Sequence, residues 1–374
     1  MKRIFTTLCL AGQVLTSLAQ YTGDGYYRLK NFMTERYAYI TDSHGSIDYT
    51  GMTADMAAVE LWKDLNRAIP DPASIIYIKN VGNNNYDIQG QGIGLYSIIG
   101  YTLQLSQNSD GTYYAYAEYS GVRLYIGDNE TTSVADGAMS SIAKGDYRKW
   151  NILPLSTEGD NYFGIQPEFQ LGDKYYTTMY ASFPFSCASS GMKVYTVTQT
   201  EGNQAVYNEI TGIVPGGTPV VIECSSNDPT NNRLNIIDTN IAAPADNLLS
   251  GVYFFTKYTR PAAPHYNRTA YDPNTMRLLG TLTDGSLGFV KSTTTSWLPA
   301  NKAYLNVPAD APDEIRWVAA SEFVSAIETV KGDVAPKGGD IFNLSGVCVR
   351  RQATTTEGLP SGVYIQGGRK IVIE

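Results

Sequence analysis

Histidine is almost absent: His44 and His265 are the only two in 374 residues, and they stand in separate segments. A histidine-built metal centre has nothing to assemble from. Cysteine is nearly as scarce. Of four, Cys9 lies in the leading apolar run, and the other three, Cys187, Cys224 and Cys348, make an odd number that excludes a fully bridged chain. Charge is thin as well, 17% of residues against about 25% in an ordinary globular domain. It leans acidic, with 28 Lys and Arg against 36 Asp and Glu and a formal net charge of −8. That excludes the basic face that a nucleic-acid partner requires. Beyond the first twenty residues there is no apolar run of the about 18 residues that a membrane-crossing helix needs, so no span is expected in the mature chain.

What is present first concerns compartment. Lys2 and Arg3 precede an apolar run that finishes on small residues at Ser17 and Ala19, the layout of a secretory leader (residues 1–19) cut before Gln20. Cys9 sits inside that run rather than just after it, which argues against a lipid anchor. The expected location is therefore secreted, periplasmic or cell-surface. In such an oxidising compartment Cys187, in "SFPFSC", and Cys224, in "VVIEC", are candidates for a disulfide. The alternative is that all three mature cysteines are buried small hydrophobes.

The 28 tyrosines and 35 glycines replace charge with neutral polarity and turns. Nearly every segment alternates apolar and polar residues over five to eight positions between Gly, Asn, Asp or Pro, which predicts an all-β chain of short antiparallel strands. "YYAYAEY" and "VYTVTQT" are clear cases. Helical spacing is scarce and clearest in "SEFVSAIETV", where Phe323, Ile327 and Val330 recur at helix intervals after a candidate Ser321 cap. The length suggests two domains or more. Within the first 170 residues, Tyr27–Asn31 with "YAYITD", Tyr77–Asn80 with "NNYDIQG" and Tyr113–Ala115 with "VRLYIGD" read as three units of about forty residues, which suggests a threefold barrel.

These repeats, with "YRKWNILPLSTEGDNYFGIQP" standing where a Gln-x-Trp strand closes the unit, resemble the ricin-type β-trefoil over residues 20–170. Residues 171–322 look like a β-sandwich module common in secreted proteins of the Bacteroidetes. Residues 323–374 look like small C-terminal β modules of that phylum, some of which act as type IX sorting domains. There Gly367-Gly368 is expected to make a two-residue hairpin turn.

The trefoil resemblance implies a sugar site built from an Asp, a Gln and a stacking ring. Glu60 and Trp62 of "VELW" match the Gln and the ring in the first repeat, where Tyr39 replaces the Asp. Asp87 and Gln104 match the Asp and Gln in the second, where Ser106 replaces the ring. Tyr125 replaces the Asp in the third. Trp62 therefore has two readings, core packing, which the fragmented motif favours, and ligand stacking. Trp150 reads as structural, and Asp87 has the alternative of a turn cap. Gly90-Gln91-Gly92-Ile93-Gly94 lacks the following helix that a phosphate loop needs. Asp128, Asn129 and Glu130 read as a solvated turn rather than a calcium site. The expectation is a non-enzymatic binding protein without cofactor or metal, its partner a glycan or another surface protein. The alternatives are a structural or adhesive surface component and, last, a glycoside hydrolase accessory protein.

Overall fold

The computed structural model describes residues 21–45, 55–62, 65–91, 93–94, 103–128, 139–141, 143–239, 241–253, 257–260, 263–266, 269–323, 339–367 and 369–373. The leader, Asn129, Glu130 and most of the helical stretch after Phe323 lie outside these residues. The chain is all-β, 48% strand and 5% helix.

Strands β1 (Gly25–Asn31), β2 (Tyr37–Gly45), β3 (Asp55–Trp62), β4 (Ile76–Gly82), β5 (Asn85–Gly90), β6 (Ile93–Gly94), β7 (Leu103–Gln107), β8 (Tyr113–Tyr119), β9 (Val122–Ile126), β10 (Met139–Ser141) and β11 (Lys149–Pro154) share one sheet. Six of them close into a ring. β1 pairs with β4, β4 with β5, β5 with β7, β7 with β8, β8 with β11, and β11 returns to β1, all antiparallel. Closure leaves these six without a free edge. The other strands leave the ring as excursions: β2–β3 from β1, β6 from β5, and β9–β10 from β8. Alternation sends Leu29, Ile78, Ile88, Leu105, Ala115, Trp150 and Ile152 to one face, where all are buried. Trp150, 2% exposed, donates its indole Nε1–H to the carbonyl of Ile126 at 3.0 Å and is structural. Asp128 is no solvated turn. Its carboxylate is fully buried and accepts from Arg36 and Thr34.

The next strands are β12 (Phe163–Gly164), β13 (Phe169–Leu171), β14 (Lys174–Met179), β15 (Phe185–Cys187), β16 (Lys193–Glu201), β17 (Gln204–Ile210), β18 (Val220–Cys224), β19 (Arg233–Ile236), β20 (Leu249–Val252), β21 (Lys257–Arg260), β22 (Ala263–Tyr266), β23 (Met276–Thr281), β24 (Leu287–Val290), β25 (Lys302–Asn306) and β26 (Glu314–Ala319). Ten of them form a half-barrel sheet in the order β13-β14-β18-β16-β17-β26-β24-β23-β25-β20, with a small β12-β19-β15 sheet beside it. Successive side chains on β18 go to different cores. Val221 belongs to the cluster with Val197, Leu279, Phe289 and Leu305, whereas Val220, Ile222 and Cys224 belong to the cluster with Phe163, Phe183 and Phe185.

The second cluster also takes in Ile75 and packs against Tyr26, both from the ring unit, so the two units share apolar packing. Arg28 reinforces that joint. It points away from Tyr27 and Leu29 yet is fully buried, donating to Ser74 Oγ, Asn161 Oδ1 and the carbonyls of Ala68, Ile69 and Tyr162 at 2.7–3.2 Å.

The last four strands, β27 (Gly339–Asn343), β28 (Cys348–Ala353), β29 (Gly362–Gln366) and β30 (Arg369–Ile373), form a separate sheet in the order β28-β27-β29-β30. Gln366 pairs with Arg369, so the turn between β29 and β30 has two residues, and Gly367 takes the left-handed φ of +59° that it requires. Ile341, Tyr364 and Ile371 bury one face, while Phe342, Leu344, Val347 and Val349 stay exposed around the β27–β28 hairpin.

Candidate functional site

Between β3 and β4 the chain makes a single turn of helix, α1 (Leu65–Ala68), then a 3-10 turn at Pro72–Ser74. Asp71 starts the second turn by accepting from the Ala73 N–H at 2.9 Å, and Pro72 follows at a position whose N–H would go unused. The result is a short wall of Arg67, Pro70, Asp71 and Pro72. Facing it are Ile165 and Gln166 after β12, Thr177 to Met179 of β14, and Ala300 to Lys302 at the start of β25. The walls border an open cavity of about 270 Å³ at the joint between the units.

Its polar groups are partly committed. Lys302 Nζ donates to Thr177 Oγ1 at 2.8 Å and pairs with Glu168 Oε2 at 3.1 Å, while the Thr177 hydroxyl donates to the same Glu168 oxygen. An ammonium has three N–H donors, so one is left for a further acceptor. Gln166 donates its amide to the carbonyl of Asn227 at 2.9 Å, which leaves its side-chain oxygen to accept. The Thr178 hydroxyl accepts from the Ala303 N–H and retains its own proton to donate. Pro70, Pro72, Ile165, Met179 and Ala300 supply apolar surface among these groups.

Asn301 sets the geometry of the far wall. Its φ is +56°, and its side-chain amide is buried against that of Gln91, itself at φ +55°. Each amide donates to the other, at 2.8 and 3.0 Å, and Asn301 also donates to the carbonyl of Tyr180. Gln91 occupies a tight turn, since Gly90 pairs with Ile93 across it and strand β6 follows. The glycine run that resembles a phosphate loop on paper is thus a hairpin turn.

The residues singled out from sequence are distributed elsewhere. Asp87, in mid-strand on β5 opposite Lys79, accepts from Gln89 Nε2 at 2.6 Å and caps no turn. Gln104 on β7 faces Asn85, so it shares the outer face of the ring with Asp87 on a neighbouring strand. Glu60 and Trp62 lie on β3 opposite Tyr39 and Tyr37, and their side chains lie outside the described residues. Tyr125 is buried with Tyr114 and Tyr116 in one cluster of rings. Lys302, Gln166, Asn301 and Gln91 carried no sequence flag, apart from the glycines on either side of Gln91.

Cys187 and Cys224, the candidates for a bridge, are free thiols in the structure, as is Cys348. Cys187 ends β15 and Cys224 ends β18, in different sheets that meet in one apolar cluster. Burial pushes the Cys187 thiol up to about 11 and that of Cys224 up to about 12. Both are therefore protonated and pack as small hydrophobes.

No known family's sequence profile matches this chain, and no curated protein matches it. Among solved structures, one described as "Structure and mode of action of a mosquitocidal holotoxin" is similar at 12% identity with a TM-score of 0.26. The alignment covers 77% of this chain and 35% of the toxin's, so the present chain spans about a third of that toxin's length.

Proposed function

We propose that this is a secreted or cell-surface carbohydrate-binding protein without catalytic chemistry, and that the cavity at the joint between the ring and the half-barrel takes one sugar ring. The observation that carries the reading is the cavity's lining. Apolar surface from Pro70, Pro72, Ile165 and Met179 lies among an unused Lys302 N–H, the Gln166 amide oxygen and the Thr178 hydroxyl. A pyranose presents the complement, a C–H face edged by hydroxyls that both donate and accept. The six-strand ring with the excursions β2–β3, β6 and β9–β10 supports reading the first unit as a ricin-type β-trefoil, and exported proteins of this build suit a role in surface recognition.

The test is saturation-transfer NMR of the mature chain with methyl pyranosides of glucose, galactose, mannose, N-acetylglucosamine and glucuronic acid. At least one should receive saturation, and Lys302→Met should abolish the transfer. Silence from the whole panel would sink the reading. Binding that survives Lys302→Met but is lost in Trp62→Ala or Asp87→Ala would move the site to the ring.

A second reading, adhesion through protein contact, draws on the C-terminal sheet. Leu344 is 73% exposed beside Phe342, Val347 and Val349, an apolar hairpin suited to docking or sorting. Removing residues 339–374 should then abolish surface retention without affecting sugar binding.

A further inference from the structure

We infer that Gln91, which does not line the cavity, is the positioning residue that sets the Lys302 ammonium in place, so that the site is completed only when the ring unit is docked. The inference rests on the reading of the cavity as a binding site, but its geometry stands independently. Ala300, Asn301 and Lys302 line the cavity in succession. Asn301 holds a left-handed φ of +56°, a conformation that a non-glycine residue adopts only where its surroundings over-determine it. Four hydrogen bonds do so here: the two exchanged with the Gln91 amide, the one from Asn301 Nδ2 to the Tyr180 carbonyl, and the one from the Tyr180 N–H to the Asn301 carbonyl.

Two of these four come from a residue 210 positions earlier in the chain, in the ring unit. Gln91 is fixed in turn by its own hairpin turn and by a weaker bond from Nε2 to the Tyr253 carbonyl. It is 1% exposed, so neither amide has water as an alternative partner. Directly after Asn301, β25 begins with Lys302, whose Nζ must reach both Thr177 Oγ1 and Glu168 Oε2. Release of the amide pair frees Asn301 from its left-handed turn, re-aims the next side chain and breaks that two-partner arrangement.

Competitive acetylation of native protein, read lysine by lysine with peptide mass spectrometry, tests this without any ligand. Lys302 should label slowly in the unaltered protein and several-fold faster in Gln91→Leu, with Lys193 and Lys291 unchanged as internal references. Gln91→Leu leaves the Asn301 amide oxygen buried without its donor, while Nδ2 keeps the Tyr180 carbonyl, and can impair folding. The double variant Gln91→Leu with Asn301→Ala removes both polar groups, so no amide is left buried without a partner, and puts at position 301 a residue that does not hold the left-handed turn unaided. It should fold and show the same selective acceleration at Lys302. Unchanged Lys302 labelling in the double variant overturns the inference, and so does acceleration shared equally by Lys193 and Lys291, which would mean general loosening. If no pyranoside binds the unaltered protein yet Lys302 responds as expected, the sugar reading fails and the positioning role stands.

Discussion

Arg28 of β1 donates to the backbone carbonyl of Tyr162 at 2.7 Å across 134 residues of sequence, and neither atom meets water. The same guanidinium serves the carbonyls of Ala68 and Ile69. Replacement by Met keeps the length of the side chain and deletes every donor; the carbonyls of Ala68 and Ile69 keep other donors, the Ser74 hydroxyl and the Gly164 N–H, whereas the buried Tyr162 carbonyl loses its donor at about 1–3 kcal/mol. Arg28→Met should therefore lose about 1–3 kcal/mol or more in denaturant unfolding. A variant as stable as the parent would mean that the joint between the units does not depend on this residue.

Gly251 is covered by an aromatic plane. A Cβ there would lie 2.0 Å from the ring of Tyr180, which stacks on Tyr253 at 4.1 Å. Gly251→Ala must displace that ring and should cost about 1–3 kcal/mol, as overpacking does. The thermal midpoint should fall, and the near-ultraviolet tyrosine dichroism should change with it.

Alkaline pH should unfold the protein earlier than its acidic composition suggests. Tyr26 and Tyr176 are pushed up to about 12, chiefly by burial and then by the nearby carboxylates Asp238 and Glu223 respectively. Tyr195, which donates to Glu223 at 3.2 Å, is raised for the same reasons. A group whose folded pKa is raised contributes stability that is complete below its unfolded value and is lost as pH climbs through the folded one. Stability should hold to about pH 9 and fall steadily to about pH 12, the interval between free and buried thiol or phenol values. The share of tyrosinate absorbance that belongs to Tyr26, Tyr176 and Tyr195 should appear together with unfolding.

Cys224 is fully buried and Cys348 is only half-buried. A small aromatic disulfide reagent should therefore label Cys348 in the native protein and reach Cys224 only on denaturation. Native protein purified under oxidising conditions that lacks two thiols on denaturing titration would instead reinstate the Cys187–Cys224 bridge.

The strands were legible because their signal is local. "YYAYAEY" is β8 and "KVYTVTQTE" is β16, and in both the period of two follows from the pleat alone. The turn at Gly367 was legible for the same reason. Asp128 was not, since its carboxylate looks solvated until Arg36, 92 residues away, is brought against it. Nor was the cavity, whose walls come from the β3–β4 connection and from β14 and β25. Lys302 is an ordinary strand lysine in sequence, and only the ring unit's Gln91 at its neighbour distinguishes it. The sugar-site motif drew attention to Asp87 and Gln104, which the ring places on its outer face, because a motif fixes spacing along one strand and not what covers the sheet.

The β1–β11 ladder sets Tyr27 opposite Pro154, so the chain leaves the ring beside the point where it enters. Adjacent ends can be joined by a linker of a few residues, so the ring can be circularly permuted at a surface loop without moving β1 or β11, provided that the joint made by Arg28 and Ile75 with the half-barrel is kept.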